Sequence, residues 1–185
     1  RVSASRARRR LMARVNPKGM AAIAAAGLTV CSPVLYHFLG KWEGVGQFTV
    51  YADKLANGIP TVCKGITRWV TDTPIIVGEV WTKEKCEAEE RAAIAAVQSE
   101  LIFCFDRAEK IPQSVFDMAT SHAWNVGVRN TCGSQAMKAW QAGDWELGCR
   151  RLQVSDGGKL VWTYANGKFV RGLANRRDDE RANCI

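Results

Sequence analysis

The sequence predicts an α+β fold of two lobes, a small antiparallel sheet beside a mainly helical lobe, with an apolar N-terminal segment ahead of both. Three patterns carry this expectation. Val34, Leu35, Phe38, Leu39 and Trp42 recur at helical spacing. Gln47-Phe48-Thr49-Val50-Tyr51 alternates as a strand does, and Asn57-Gly58 behind it is a hairpin turn signal. From Thr82 onward, apolar residues return every three or four positions almost to the end. With 185 residues, 47% of them hydrophobic and only 5 prolines, the chain can bury a core without help, which excludes collagen, coiled coil and wholesale disorder.

The elements follow in order. Pro33 suits the first turn of a helix, with Ser32 as its cap, and the helix should stop near Gly44. That places Glu43 in the last turn of an otherwise apolar helix. Ile59 to Ile66 reads as a second strand, and 70–80 as a loop carrying Pro74 and Gly78. Thr82 can cap a helix running to about Phe105, with Ile94, Val97, Leu101 and Cys104 on one stripe. Pro112 opens another through Val115, Met118, Ala119 and Ala123, ending at Asn125-Val126-Gly127. Short helices are expected over 134–142 and 145–152. A last one covers 173–183, after a Gly-rich loop over 156–172.

The net charge of +8 invites a nucleic-acid reading, but its location argues otherwise. Residues 1–18 hold seven basic residues and no acid, so the remainder carries nineteen bases against eighteen acids. A near-neutral domain has no basic face to offer, and no nucleic-acid partner is expected.

Three segments are distinguished: a basic tail over 1–19, an apolar segment over 20–32 and a folded domain over 33–185. Met20 to Gly40 runs 21 residues without a charge, long enough to span a bilayer with its basic flank on the cytoplasmic side. Its alanines, Gly27, Thr29, Ser32, His37 and Pro33 make it a weak anchor. A cleaved signal peptide and a buried Ala-rich helix are the rival readings.

Seven cysteines with two histidines and no Cys-x-x-Cys pair point to disulfides and an oxidising compartment rather than to zinc. Cys63, Cys86, Cys104, Cys132, Cys149 and Cys184 form an even set after residue 60, and Cys31 is the odd one. Fifteen connectivities are open. Position along the elements suggests Cys63 with Cys86, Cys132 with Cys149 and Cys104 with Cys184.

A carboxylate at a helix end facing a small sheet that bears another is the arrangement glycoside hydrolysis uses, one group as acid and one ionised. Glu43 behind Leu39 and Trp42 fits the first description, and Asp53 in the polar Tyr51-Ala52-Asp53-Lys54 turn fits the second. Catalysis by a Ser/His/Asp set would need His37 or His122, which read as packed or capping residues. Trp140 reads as core.

Ordered motifs sharpen this. Lys41-Trp42-Glu43-Gly44, Tyr51-Ala52-Asp53 and Gly58-Ile59-Pro60-Thr61-Val62-Cys63-Lys64-Gly65 resemble the catalytic signature of the phage-type lysozymes, the endolysins of glycoside hydrolase family 24. Trp124-Asn125-Val126-Gly127, Trp140 to Trp145 and Arg171 to Glu180 continue the likeness, which covers about residues 34–185.

The resemblance implies a lysozyme-like fold. It also implies a muramidase that cuts the β-1,4 bond between N-acetylmuramic acid and N-acetylglucosamine in peptidoglycan and lyses the host, with no cofactor or metal. Glu43 would be the general acid, Asp53 would assist the water or stabilise an oxocarbenium-like transition state, and Thr61 would orient the water. Apart from the resemblance, Asn125 either binds saccharide or ends its helix, and Trp124 is either a sugar platform or core. The spacing departs from the common motif: nine residues separate Glu43 from Asp53 and seven separate Asp53 from Thr61, against about eight and five.

The Ala- and Gly-rich segment is similar to the signal-anchor-release segments of some endolysins. That implies a monomer tethered transiently to the inner membrane through residues 20–32 and then freed into the periplasm. A non-catalytic, disulfide-stapled wall-binding module is the competing reading.

Overall fold

The computed structural model describes residues 15–43, 46–53, 57–106 and 110–185. The basic tail before residue 15, Gly44 and Lys54 lie outside them. Among the described residues the fold is α+β and two-lobed, as the sequence predicts, with eight α-helices, a three-stranded antiparallel sheet and a separate two-stranded hairpin.

The uncharged run of residues 20–40 does not form one helix. It divides into α1 (Pro17–Ala25) and α2 (Pro33–Glu43), and no described helix is long and apolar enough to cross a membrane. Between the two, Gly27 and Cys31 adopt left-handed φ of 68° and 47°, which no helix tolerates. α1 starts inside the segment assigned to the tail, because the Asn16 side chain accepts from Lys18 N and Gly19 N while Pro17 fills the first turn.

The helix α1 lies against α3 (Lys83–Leu101) and buries Ile23 in the helical core. Gly19 permits the contact, since a Cβ there would come within 1.8 Å of the Ser99 carbonyl oxygen. The link from α1 to α2 is satisfied by side chains of the helical lobe: Thr29 N donates to Gln113 Oε1 at 2.7 Å, and Cys31 N to Gln98 Oε1 at 2.8 Å. Ser32 Oγ donates to the buried Asp117 at 2.6 Å while accepting from Leu35 N, so the expected cap is formed.

β1 (Gln47–Asp53), β2 (Ile59–Cys63) and β3 (Ile66–Thr67) form an antiparallel meander. The expected second strand thus divides at Lys64-Gly65, where Gly65 takes a φ of 89° and reverses the chain. Asn57 and Gly58 both take positive φ, and Gly58 N donates to Asp53 O at 2.7 Å, closing the hairpin where the turn signal predicts it. The register shifts between Gln47 opposite Cys63 and Tyr51 opposite Thr61, so a bulge in β1 absorbs extra residues between Glu43 and Asp53. The end of the expected loop pairs with β1, because Val50 N reaches Glu79 O and Trp81 N reaches Phe48 O, each at 2.8 Å.

The helical lobe follows the predicted order: α3, a 3₁₀ turn over 102–104, α4 (Gln113–Val126), α6 (Gln135–Gln141), α7 (Trp145–Arg151) and α8 (Arg171–Ala182). Two elements lack a hydrophobic pattern and were not expected. One is the five-residue α5 (Val128–Cys132), and the other is the hairpin of β4 (Tyr164–Ala165) with β5 (Lys168–Phe169) inside the Gly-rich loop. The large core packs Phe116, Met118, Met137, Trp140 and Leu152 at zero exposure, and a smaller one sits under the sheet around Val62, Ile66 and Trp81. Trp124 packs against both, and against a third cluster of Leu35, Leu39 and Ile94.

Three disulfides staple the lobes. Cys63 joins Cys86, the pairing expected from sequence. The other two differ: Cys104 joins Cys132 and Cys149 joins Cys184. The physical reason is that α5 brings Cys132 back to the end of α3, while α7 runs beside α8 and meets the C-terminus.

Two outcomes check this packing. Non-reducing peptide mapping should recover these three pairs, and removing Cys104 and Cys132 together should cost about 3–4 kcal/mol for a loop of 28 residues. Any peptide joining Cys132 to Cys149 would contradict the arrangement. At Gly148 a Cβ would meet the Trp140 ring at 2.1 Å, so Gly148→Ala should destabilise by about 1–3 kcal/mol, and an unchanged melting temperature would refute that contact.

Candidate active site

Glu43 closes α2, where the apolar stripe of Leu35, Phe38 and Leu39 fixes the helix on the core and leaves the last residue projecting at its rim. A pocket of about 330 Å³ opens beside it, lined by Trp42, Glu43, Trp124, Asn125, Val170, Gly172, Leu173 and Arg176. Larger hollows of about 390 and 520 Å³ lie at the C-terminus around Asp144, Glu146 and Ile185, away from α2 and the sheet. The smaller pocket is the one with a carboxylate, two indoles, an amide and a guanidinium converging. A second, narrow crevice on the other side of Glu43 is lined by Tyr36, Gly40, Lys64, Glu90 and Trp124.

The Glu43 carboxylate is not simply in an apolar setting. Arg176 Nη1 donates to Glu43 Oε1 at 3.0 Å, with 5% of the Arg176 side chain and 28% of the Glu43 side chain exposed. Arg176 Nε reaches Glu180 Oε1 at 3.3 Å, and its Nη2 donates to Ser121 O at the same distance. Glu180 Oε1 also accepts from Arg177 Nη2 and from Ser121 Oγ, each at 2.7 Å. Arg176, Arg177 and Glu180 are buried together on the inward face of α8. Burial pushes the Glu180 carboxyl up against the pull of its two guanidiniums, and burial pushes the Arg177 guanidinium down.

Of the expected site residues, Glu43, Trp124 and Asn125 come together around one pocket. Asp53 and Thr61 stand on neighbouring strands and do not line it. Asp53 ends β1 half-buried opposite Ile59, and Thr61 is buried opposite Tyr51 with its hydroxyl donating to Ile59 O at 3.0 Å. Sequence reasoning missed the partner of Glu43. The signal available was the Arg-Arg-x-x-Glu spacing in the last helix, which puts all three charges within one turn.

A second ionic group ties the sheet to the helices beside the crevice. Glu90, 6% exposed on α3, accepts from Tyr36 OH at 2.8 Å and from Lys64 N and Nζ, each at 3.2 Å. Lys64 sits at the β2–β3 turn, so this carboxylate anchors the sheet lobe against α2 and α3. Burial, with the Glu90 carboxylate, pushes the Tyr36 phenol up.

Trp140 is core, at zero exposure with its indole N–H on Trp145 O. His37 is exposed rather than packed, because α2 turns it outward. His122 is fully buried, with Nδ1 2.8 Å from Thr131 Oγ1 and its ring edge on Trp162. The histidine ring can donate from Nδ1 to Thr131, whose own proton goes to Gly127 O. Burial, Arg177 and Arg176 together hold its pKa well below 6.5.

That depression has a stability consequence. The unfolded chain takes up a proton below about pH 6.5 that the folded chain refuses, so stability falls as the pH drops through that value. His122 should therefore withdraw stability between pH 7 and pH 5. Urea titrations of the wild type and of His122→Asn across that range would show a flatter profile in the variant, and parallel profiles would contradict the assignment.

Comparison with known proteins agrees with the geometry. The family model described as phage lysozyme matches residues 40–180. The chain is 31% identical over 168 residues to proteins named SAR-endolysin from Enterobacteria phage PA-2 and Enterobacteria phage P21, covering 91% of this chain and 94% of each relative. A solved P22 lysozyme mutant superposes with a TM-score of 0.69 at 21% identity, over 83% of this chain and 97% of that one. The active form of the P1 phage endolysin Lyz superposes with a TM-score of 0.64 at 22% identity, over 90% and 91%. At these identities the structural likeness establishes the fold.

Proposed function

This chain belongs to the phage lysozyme family, and from that premise we infer how its own residues carry out the reaction of an endolysin. It is a muramidase, a glycoside hydrolase that cuts the β-1,4 bond between N-acetylmuramic acid and N-acetylglucosamine in peptidoglycan and so lyses the host cell.

Glu43 is the general acid of this reading. The observation that carries it is the Glu43–Arg176 bond at the mouth of a pocket where Trp124 and Asn125 also converge. With Oε1 engaged by Arg176, the carboxyl has one orientation and delivers its proton to the glycosidic oxygen from Oε2. Trp124 offers an apolar face to a sugar ring and Asn125 an amide to its hydroxyl or acetamido groups. Asp53 supports the positive charge that develops at the anomeric carbon or assists the water. Thr61 gives its proton to Ile59 O, which leaves its lone pairs to accept from that water.

The location is read the same way. Residues 20–32 tether the chain transiently to the inner membrane, and the monomer works in the periplasm after release. The uncharged run, the disulfides and the name of the relatives support this. The α1 that seats Ile23 in the helical core is then the released form of the segment.

Glu43→Gln keeps size and an acceptor for Arg176 while deleting the proton donor. Lysis of chloroform-treated Gram-negative cells, followed by turbidity, should fall at least about 100-fold with the melting temperature nearly unchanged. Wild-type lysis by that variant would remove Glu43 from the role.

A further inference from the structure

We propose that Glu180 is a positioning residue for the reaction, acting on Glu43 through Arg176 across the contact between α2 and α8. The proposal rests on the reading of Glu43 as the acid.

The geometry is a relay of short polar contacts with one anchor. Arg176 has two jobs: Nη1 holds Glu43 Oε1, and Nε binds Glu180 Oε1. A guanidinium is a planar fork, so fixing Nε fixes the direction in which Nη1 points. Glu180 in turn is fixed from two sides, by Ser121 Oγ of α4 and by Arg177 Nη2 of its own helix. All these bonds fall on Oε1, while Oε2 is buried and has no hydrogen-bond partner among the described residues. A carboxylate committed through one oxygen to three donors is a point of attachment rather than a freely shared charge.

The second effect is electrostatic. The charged groups facing Glu180 are Arg176 and Arg177 on α8, and from α4 it meets the Ser121 hydroxyl. Those around Glu43 are Arg176 from α8, and Lys64 and Glu90 across the narrow crevice, with Lys41 engaged by Asp179. Glu180 offsets part of the positive field that Arg176 places on Glu43. Without that offset, the full positive field of Arg176 falls on the group that must hold the catalytic proton.

The test is the alkaline limb of the pH profile of peptidoglycan hydrolysis in Glu180→Gln. Glutamine preserves an oxygen for the three donors and removes only the charge. The limb should move down by about one pH unit, and Glu180→Asp, which restores the charge, should bring it most of the way back. If Glu180→Gln leaves two guanidiniums unbalanced and does not fold, the comparison is Arg177→Met/Glu180→Gln against Arg177→Met, which again differ only by the Glu180 charge. The same downward displacement is expected there.

A limb that stays in place or moves up in folded protein overturns the proposal, whatever happens to the melting temperature, because a purely structural role changes stability and not the pH dependence of hydrolysis. The Glu43→Gln lysis assay separates the two readings. If that variant is active, the assignment of Glu43 has failed. If it is inactive while the limb is fixed, only the role of Glu180 has.

Discussion

The ion pair between Glu43 and Arg176 joins two helices that lie 133 residues apart in the chain, and much of the architecture is arranged around it. Arg176 is 4% exposed, so its charge must be met inside the protein. Glu180 and Glu43 share that task, one on each side of the guanidinium. α8 therefore docks with its charged face inward, and the Cys149–Cys184 bridge fastens its end to α7. The carboxylate proposed as the acid is in this way also a structural contact, and its orientation is set by the packing of the helical lobe.

Control of the cleft depends equally on how the sheet is held. Trp124 belongs to all three apolar clusters, so displacing it would loosen the sheet lobe, α2 and the helical core together. Glu90 adds a polar clamp, since its carboxylate gathers Tyr36 from α2 and Lys64 from the β2–β3 turn. The Cys63–Cys86 bridge makes the same connection covalently, from β2 to α3. Asp53 and Thr61 are consequently carried on a sheet fixed at its inner end, while the hairpin tip at Asn57-Gly58 projects outward.

Sequence made the helices and the hairpin legible wherever a hydrophobic period or a turn residue marked them. Pro33, Thr82, Pro112 and Asn57-Gly58 each stand where the structure begins or reverses an element. Ordered motifs pointed to Glu43, Trp124 and Asn125, which share a pocket. What was not legible had no local pattern. The split of the apolar run into α1 and α2 follows from Gln98, Gln113 and Asp117, which reach it from distant helices and satisfy an irregular link. The inward face of α8 is charged, so an apolar stripe could not reveal it, and the disulfide pairing depended on α5, too short to show a period.

The most direct measurement of the central claim is the chemistry of the new chain ends. Purified peptidoglycan digested by the enzyme, reduced with borohydride and separated by mass spectrometry should yield muropeptides whose reduced terminus is N-acetylmuramic acid, with no 1,6-anhydro sugar. Reduced N-acetylglucosamine termini would mean that the other glycosidic bond is cut, and 1,6-anhydro termini would mean that no water enters the reaction. Free stem peptides would mean that the glycan is not the substrate, and each of these results would contradict a muramidase acting through Glu43.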